Sequence, residues 1–173
     1  MKKLVLIRHA KSSWEFNLED RDRPLSKKGI KRIKQMAMHN PEIFSSSEII
    51  FSSTANRATH TTSILVNSLL ISFKTVNLVE DLYTFEVSKL IHFLKKLSDK
   101  YESVICVGNN PAFTDAASYL SNTELDYLPT AAWAKLEFQQ SKWTNIADGA
   151  LTLGIPKIIL KSVSYTHLTL PTR

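Results

Sequence analysis

Leu4-Val5-Leu6-Ile7, held between Lys2-Lys3 and Arg8-His9, is the stretch that decides the fold. A short apolar run bounded by charge reads as a buried strand, Lys2–Ile7. Outward from it the chain alternates. Ser26 caps a helix that runs to Asn40, with Ile30, Ile33, Met36 and Ala37 at helical spacing and Pro41 ending it. Glu48–Phe51 reads as a second strand, followed by a helix from about Thr54 to Leu70. Lys74–Val79 is a third strand, and Glu86–Ser98 a helix with Leu90, Ile91, Leu94 and Leu97 on one face. Ser103–Val107 is a fourth strand. Gly108–Pro111 then opens a helix to about Leu120, where a proline in the first turn loses no intrahelical hydrogen bond. Ala132–Phe138 and Ala150–Leu160 complete the strands, the second limited by Pro156. Strands alternating with helices predict an α/β sandwich around a mostly parallel sheet, one domain over residues 1–161.

Length and composition agree. A chain of 173 residues, 43% hydrophobic and 22% charged, is long enough to bury a core without staples. The single Cys106 excludes a disulfide framework and Cys-rich zinc modules, and suits a reducing compartment. Only four apolar residues separate Lys3 from Arg8, too few for a signal-peptide core or a membrane span. A cytoplasmic protein without a membrane partner is therefore expected, and a monomer. The formal charge of +6 raises nucleic acid as a partner. Lys27, Lys28, Lys31, Arg32 and Lys34 on one segment, and Lys95, Lys96 and Lys100 on another, form no aromatic-interleaved stripe, so no nucleic acid is expected. Ser162–Arg173, SVSYTHLTLPTR, has no amphipathic period and resembles the translation of a sequencing-library adapter. It is expected to be non-native and stands outside the domain, His167 included.

The chemistry gathers where strands end. In open α/β sheets, ligands sit beyond the carboxyl ends of the strands. Arg8-His9 lies at such an end, joining a permanent cation to a possible nucleophile. Arg holds phosphate oxygens in a fork, and a neutral imidazole can attack phosphorus. After the second strand, Ser52-Ser53-Thr54-Ala55-Asn56-Arg57 puts Arg57 in the first turn of a helix, where free N–H groups and the dipole already favour an anion. Two guanidiniums around one His make a phosphate pocket; a solvated dipeptide and a helix-start arginine are the plainer reading of each residue alone. Glu80, just past the third strand, is the best-placed general acid, with Asp81 second, or else the two are a solvated pair. No cluster of His, Cys and carboxylate suggests a metal.

Taken together and in order, LVLIRHAKSSW, RDRPLSKKG, SSTANRATHTT, LYTFEVSKL, VGNNPAFTD and LPTAAWAKLEF resemble the histidine phosphatase superfamily, most of all its small SixA-like branch of phosphohistidine phosphatases. RHAKSSW with RPL-(x)3-G and the later GxNP and PT signatures is far more specific than Arg-His alone. The resemblance spans Met1 to Lys157. It implies a three-layer α/β/α sandwich with no separate lid domain, no cofactor, no metal and a phosphate-bearing substrate, a phosphohistidine protein foremost.

Carried over, it makes His9 the transiently phosphorylated nucleophile, with Arg8 and Arg57 on the phosphoryl group. Lys11, Ser12 and Arg23 lie at the pocket mouth, or else serve as loop and cap residues. The departure is Gly108-Asn109-Asn110-Pro111. The family carries a second catalytic His where Asn109 stands. An amide can donate a hydrogen bond but cannot hold charge or shuttle a proton. Losing one preorganised donor costs about 2.7–4 kcal/mol, so turnover is expected to suffer more than phosphate binding.

Overall fold

The computed structural model describes residues 1–161, so the expectation for residues 162–173 lies outside the described residues. Six strands form one sheet: β1 (Lys2–Arg8), β2 (Ile49–Ser53), β3 (Val76–Val79), β4 (Ser103–Gly108), β5 (Trp133–Phe138) and β6 (Ala150–Gly154). Their spatial order is β3-β2-β4-β1-β5-β6. The first four are mutually parallel, β5 is antiparallel to β1, and β6 is antiparallel to β5. Five of the six strands therefore run one way, which keeps the sheet mostly parallel.

Helices cover both faces: α1 (Lys27–His39), α2 (Pro41–Ser45), α3 (Asn56–Ser68), α4 (Val87–Lys95) and α5 (Ala112–Ser121). Alternation along β1 explains why there are two cores. Val5 and Ile7 pack with Ile33, Met36, Leu65 and Val66 of α1 and α3, while Leu4 and Leu6 pack with Leu90, Leu94 and Phe113 of α4 and α5. A strand buried on both sides has no polar face to show, which is why its sequence is a continuous apolar run. The three-layer sandwich follows, and the described residues hold no additional domain.

Several boundaries differ from the sequence expectation. The segment expected as a strand to Leu160 stops at Gly154, and residues 156–161 are helical, because Pro156 has no N–H for a ladder and fits a helix start instead. Pro41 ends α1 and also opens α2. The third strand begins only at Val76, since Phe73–Thr75 form a 3-10 turn capped by the Ser72 hydroxyl. Asn110-Pro111 is a cis peptide.

Candidate active site

The site lies at the carboxyl ends of β1 and β4 and the start of α3. The His9 N–H donates to the Gly108 carbonyl at 3.0 Å, continuing the β1–β4 ladder one step past Arg8, so Asn109 follows directly beside the His9 backbone. Parity puts His9 on the same face as Val5 and Ile7, the face that α3 covers. That helix brings Arg57.

His9 is 7% exposed, and its ring is fixed at both nitrogens. Nδ1 lies 2.7 Å from the Ala10 carbonyl, which can only accept, so the proton sits on Nδ1. Nε2 accepts from Arg57 Nε at 3.3 Å and keeps its lone pair. Burial first, and then the positive charges of Arg57, Arg8 and Arg23, hold the His9 pKa down at about 4. The ring is therefore neutral across the physiological range, with one unprotonated nitrogen pointing at a guanidinium.

Arg57 is 2% exposed and directs hydrogen bonds inward as well: Nη1 donates to the Asp20 carbonyl at 2.6 Å and Nη2 to Asp20 Oδ2 at 2.9 Å. Asp20 also takes the Tyr83 hydroxyl at 2.7 Å and Arg23 Nη2 at 3.2 Å. Desolvation pushes the Asp20 carboxyl up, but the hydrogen bonds from Tyr83, Arg57 and Arg23 outweigh it and hold the pKa at about 2. Arg23 is buried, donates to Ser12 Oγ, and stacks 3.7 Å from the Trp14 ring centre. A five-N–H guanidinium satisfied by Asp20 on part of its fork still has N–H groups to offer a phosphate.

Arg8 is steered from the loop that follows α5. Its Nη1 donates to the Leu128 carbonyl at 2.8 Å, and Asn110 Nδ2 meets the same carbonyl at 2.9 Å. Ala131, at φ 64°, turns the chain so that its N–H reaches the Arg8 and His9 carbonyls, each at 3.2 Å. This is what the PT stretch does physically: it clamps the end of β1.

The RPL-(x)3-G stretch has an equally local reason. Ser26 caps α1 by accepting from the Gly29 N–H at 3.0 Å, and both its hydroxyl and its N–H reach the Lys11 carbonyl. A Cβ on Gly29 would lie 2.1 Å from that carbonyl oxygen. Only glycine lets α1 come this close to the segment after His9.

Four of the five buried side-chain polar atoms without a protein partner, among the described residues, belong here: Arg8 Nε, Arg23 Nε and both amide atoms of Asn109. Buried polar atoms are ordinarily paired. Three of these four are donors, and Asn109 itself is 1% exposed. The set suits a buried anion with several oxygens. Among the described residues no group of three His, Cys, Asp or Glu gathers as a metal site.

The sequence expectation for Glu80 needs correction. Its carboxylate forms an ion pair with Arg21 and accepts from Thr54 Oγ1 at 2.6 Å. The Arg21 hydrogen bond, with Thr54 adding to it, holds the Glu80 pKa down at about 2, so this group is ionised and has no proton to give. The Lys11 side chain is exposed and lines a groove beside Arg8, while its carbonyl anchors α1. Ser12 Oγ accepts from Arg23 Nη1. Sequence reasoning missed Asp20 and Tyr83. The only signal for Asp20 was its place three residues before Arg23, within reach of an i,i+3 pair.

A family model for the histidine phosphatase superfamily (branch 1) matches residues 4–87, the segment that carries Arg8, His9, Arg23 and Arg57. A chloroplastic protein of Arabidopsis thaliana, described as uncharacterized, is 28% identical over 152 residues, covering 82% of this chain and 69% of its own. The structure of the protein histidine phosphatase SixA complexed with tungstate superposes with a TM-score of 0.77 at 18% identity, covering 91% of this chain and 99% of that one. A structure assigned as phosphohistidine phosphatase SixA from Agrobacterium tumefaciens gives 0.73 at 21% identity, covering 90% and 99%.

Proposed function

We propose that the chain, whose residues 4–87 match the family model of the histidine phosphatase superfamily (branch 1), is a phosphatase working through a phosphohistidine on His9, with a phosphohistidine protein as its substrate. The observation that carries the proposal is the His9 ring: Nδ1–H held by the Ala10 carbonyl, Nε2 unprotonated, and Arg57 against it. A neutral, oriented imidazole is what in-line attack on phosphorus requires. Likeness to a SixA structure that binds tungstate, a tetrahedral oxyanion, supports a phosphoryl-sized pocket here.

In the first step a bond forms from His9 Nε2 to phosphorus, and the bond to the leaving nitrogen breaks. The leaving imidazole is less basic than an alkoxide, so it departs with less help from a general acid and takes its proton from solvent. Water then attacks the phosphorus, the N–P bond breaks, and His9 is regenerated with phosphate released. Arg8 and Arg57 neutralise charge on the equatorial oxygens, and Arg23 supports them from the mouth. Asn109 supplies one neutral donor where a charged one would serve better, so the enzyme binds phosphate better than it turns it over.

A second reading, a phosphate-binding module with little turnover, is favoured by the same Asn109. Alkaline quench of the enzyme during turnover of a phosphohistidine peptide, followed by isolation and peptide mapping at alkaline pH, tests the first reading. Acid-labile, base-stable phosphate on the His9 peptide, absent from His9→Ala, is the expected result. No label on His9, with turnover retained in His9→Ala, would overturn the mechanism.

A further inference from the structure

Beside the His9 pocket runs a groove of about 510 Å³ whose lining includes Arg8, Lys11, Lys28, Arg32, Lys157 and Tyr127, with no acidic side chain among its lining residues. This size falls in the usual range of ligand sites. None of Lys11, Lys28, Arg32 and Lys157 has an ion pair among the described residues, although seven other ion pairs form elsewhere. Five like charges around one concavity repel one another and raise a strongly positive local potential. Arg8 belongs to the groove and, as the neighbour of His9, to the phosphate site. Its guanidinium stands 6.0 Å over the Tyr127 ring, which turns the wall of the groove towards it.

We propose that this groove takes the acidic side chains that flank the phosphorylated histidine of a protein substrate; the inference rests on the phosphohistidine reading above. Lys11, Lys28 and Lys157 are exposed, on long flexible stems. A single second phosphate on a small molecule is better held by buried, fixed guanidiniums, as at Arg57. Separate lysines around an open groove instead suit several carboxylates spaced along a chain. The basic excess of the protein then acts locally, guiding an acidic segment across Arg8 so that its phosphohistidine meets His9.

The test uses the full chain and a Lys28→Glu/Arg32→Glu variant, both positions lying on α1, with matched thermal melts as the folding control. An unphosphorylated glutamate-rich peptide is first titrated against turnover of an aryl phosphate at low salt. Competitive inhibition of wild type, weakened about tenfold in the variant after correction for any change in its KM for the aryl phosphate, is expected for the loss of two exposed charge pairs. Raising the salt should erase the difference. Absence of inhibition at low salt, or equal inhibition of the variant, would overturn the groove. Inhibition by tripolyphosphate through Lys28 and Arg32 without inhibition by the peptide would overturn the protein-segment reading. Two phosphohistidine peptides, one flanked by Glu and one by Gln, separate the premises. Preference for the Glu peptide, expressed in KM, supports both; turnover of neither peptide beside intact glutamate competition overturns the phosphohistidine substrate and leaves the groove standing.

Discussion

Asn109→Ala and Asn109→His probe the site from opposite sides. Asn109 is 1% exposed, and neither amide atom has a protein partner. A buried polar atom left unpaired costs about 1–3 kcal/mol, while deleting so small a side chain leaves a void that costs about 1 kcal/mol. The ligand-free Asn109→Ala protein should therefore be more stable by about 1 kcal/mol or more, a rise of roughly 2–4 °C in Tm. The same change removes one neutral donor to the phosphoryl group, worth about 0.5–1.5 kcal/mol, so the stabilisation given by added tungstate or phosphate should weaken by about two- to tenfold in apparent affinity. Asn109→His restores a donor that can carry charge. A charge-assisted hydrogen bond exceeds a neutral one by about 1–1.5 kcal/mol, or about tenfold, and loss of a preorganised transition-state donor has cost up to about 10²–10³ in rate. A kcat increase of about 10- to 10³-fold on an aryl phosphate is expected. Scanning calorimetry with and without the oxyanion, beside steady-state turnover, reads all three quantities. A destabilised Asn109→Ala with an unaltered oxyanion shift would mark Asn109 as an ordinary core residue. A folded Asn109→His no faster than wild type would refute the claim that this donor limits turnover.

Other consequences follow from the same geometry. His9 has its folded-state pKa lowered from 6.5 to about 4, so on acidification the unfolded chain binds a proton first. Stability linked to His9 should be full above pH 6.5 and should fall by up to about 3 kcal/mol as pH drops through about 4; a His9→Gln variant whose melts follow the same pH course would refute this. Gly29→Ala drives a Cβ to 2.1 Å from the Lys11 carbonyl oxygen, and should cost about 1–3 kcal/mol and reduce kcat as α1 draws back from the His9 segment; an unchanged Tm would contradict the packing. Glu80 is ionised on Arg21, so Glu80→Gln should change kcat far less than the roughly 10²–10⁴ lost with a true general acid. A loss of that size on a poor leaving group, with an altered alkaline limb of the pH profile, would restore Glu80 as the acid.

Local sequence determined much of the frame because its causes are local. The continuous apolar run of β1 records burial on both faces, and Ser26 and Gly29 record a helix start pressed against backbone. The α1 range of Lys27–His39 with Ser26 as its cap follows from side-chain spacing and one hydroxyl. His9, Arg8 and Arg57 were legible as candidates because each ends a strand or starts a helix at one sheet edge, where the fold class alone puts ligands. The directions of β5 and β6 were not legible: strand direction depends on partners distant in the chain, and nothing within Trp133–Phe138 encodes it.

Tertiary structure alone decided the state of each ionisable group, because a pKa depends on what surrounds it. Glu80, placed by sequence as the proton donor, became an ionised tether once Arg21 and Thr54 came to it across the site. Asp20, inconspicuous in its loop, became the carboxylate that orients both Arg57 and Arg23. The His9 tautomer was set by the carbonyl of its own neighbour, and its neutrality by burial among three guanidiniums. Sequence by itself determined which residues reach the end of β1; only the packed chain decided which of them carry a proton, which carry a charge, and which are left with a hydrogen bond to give.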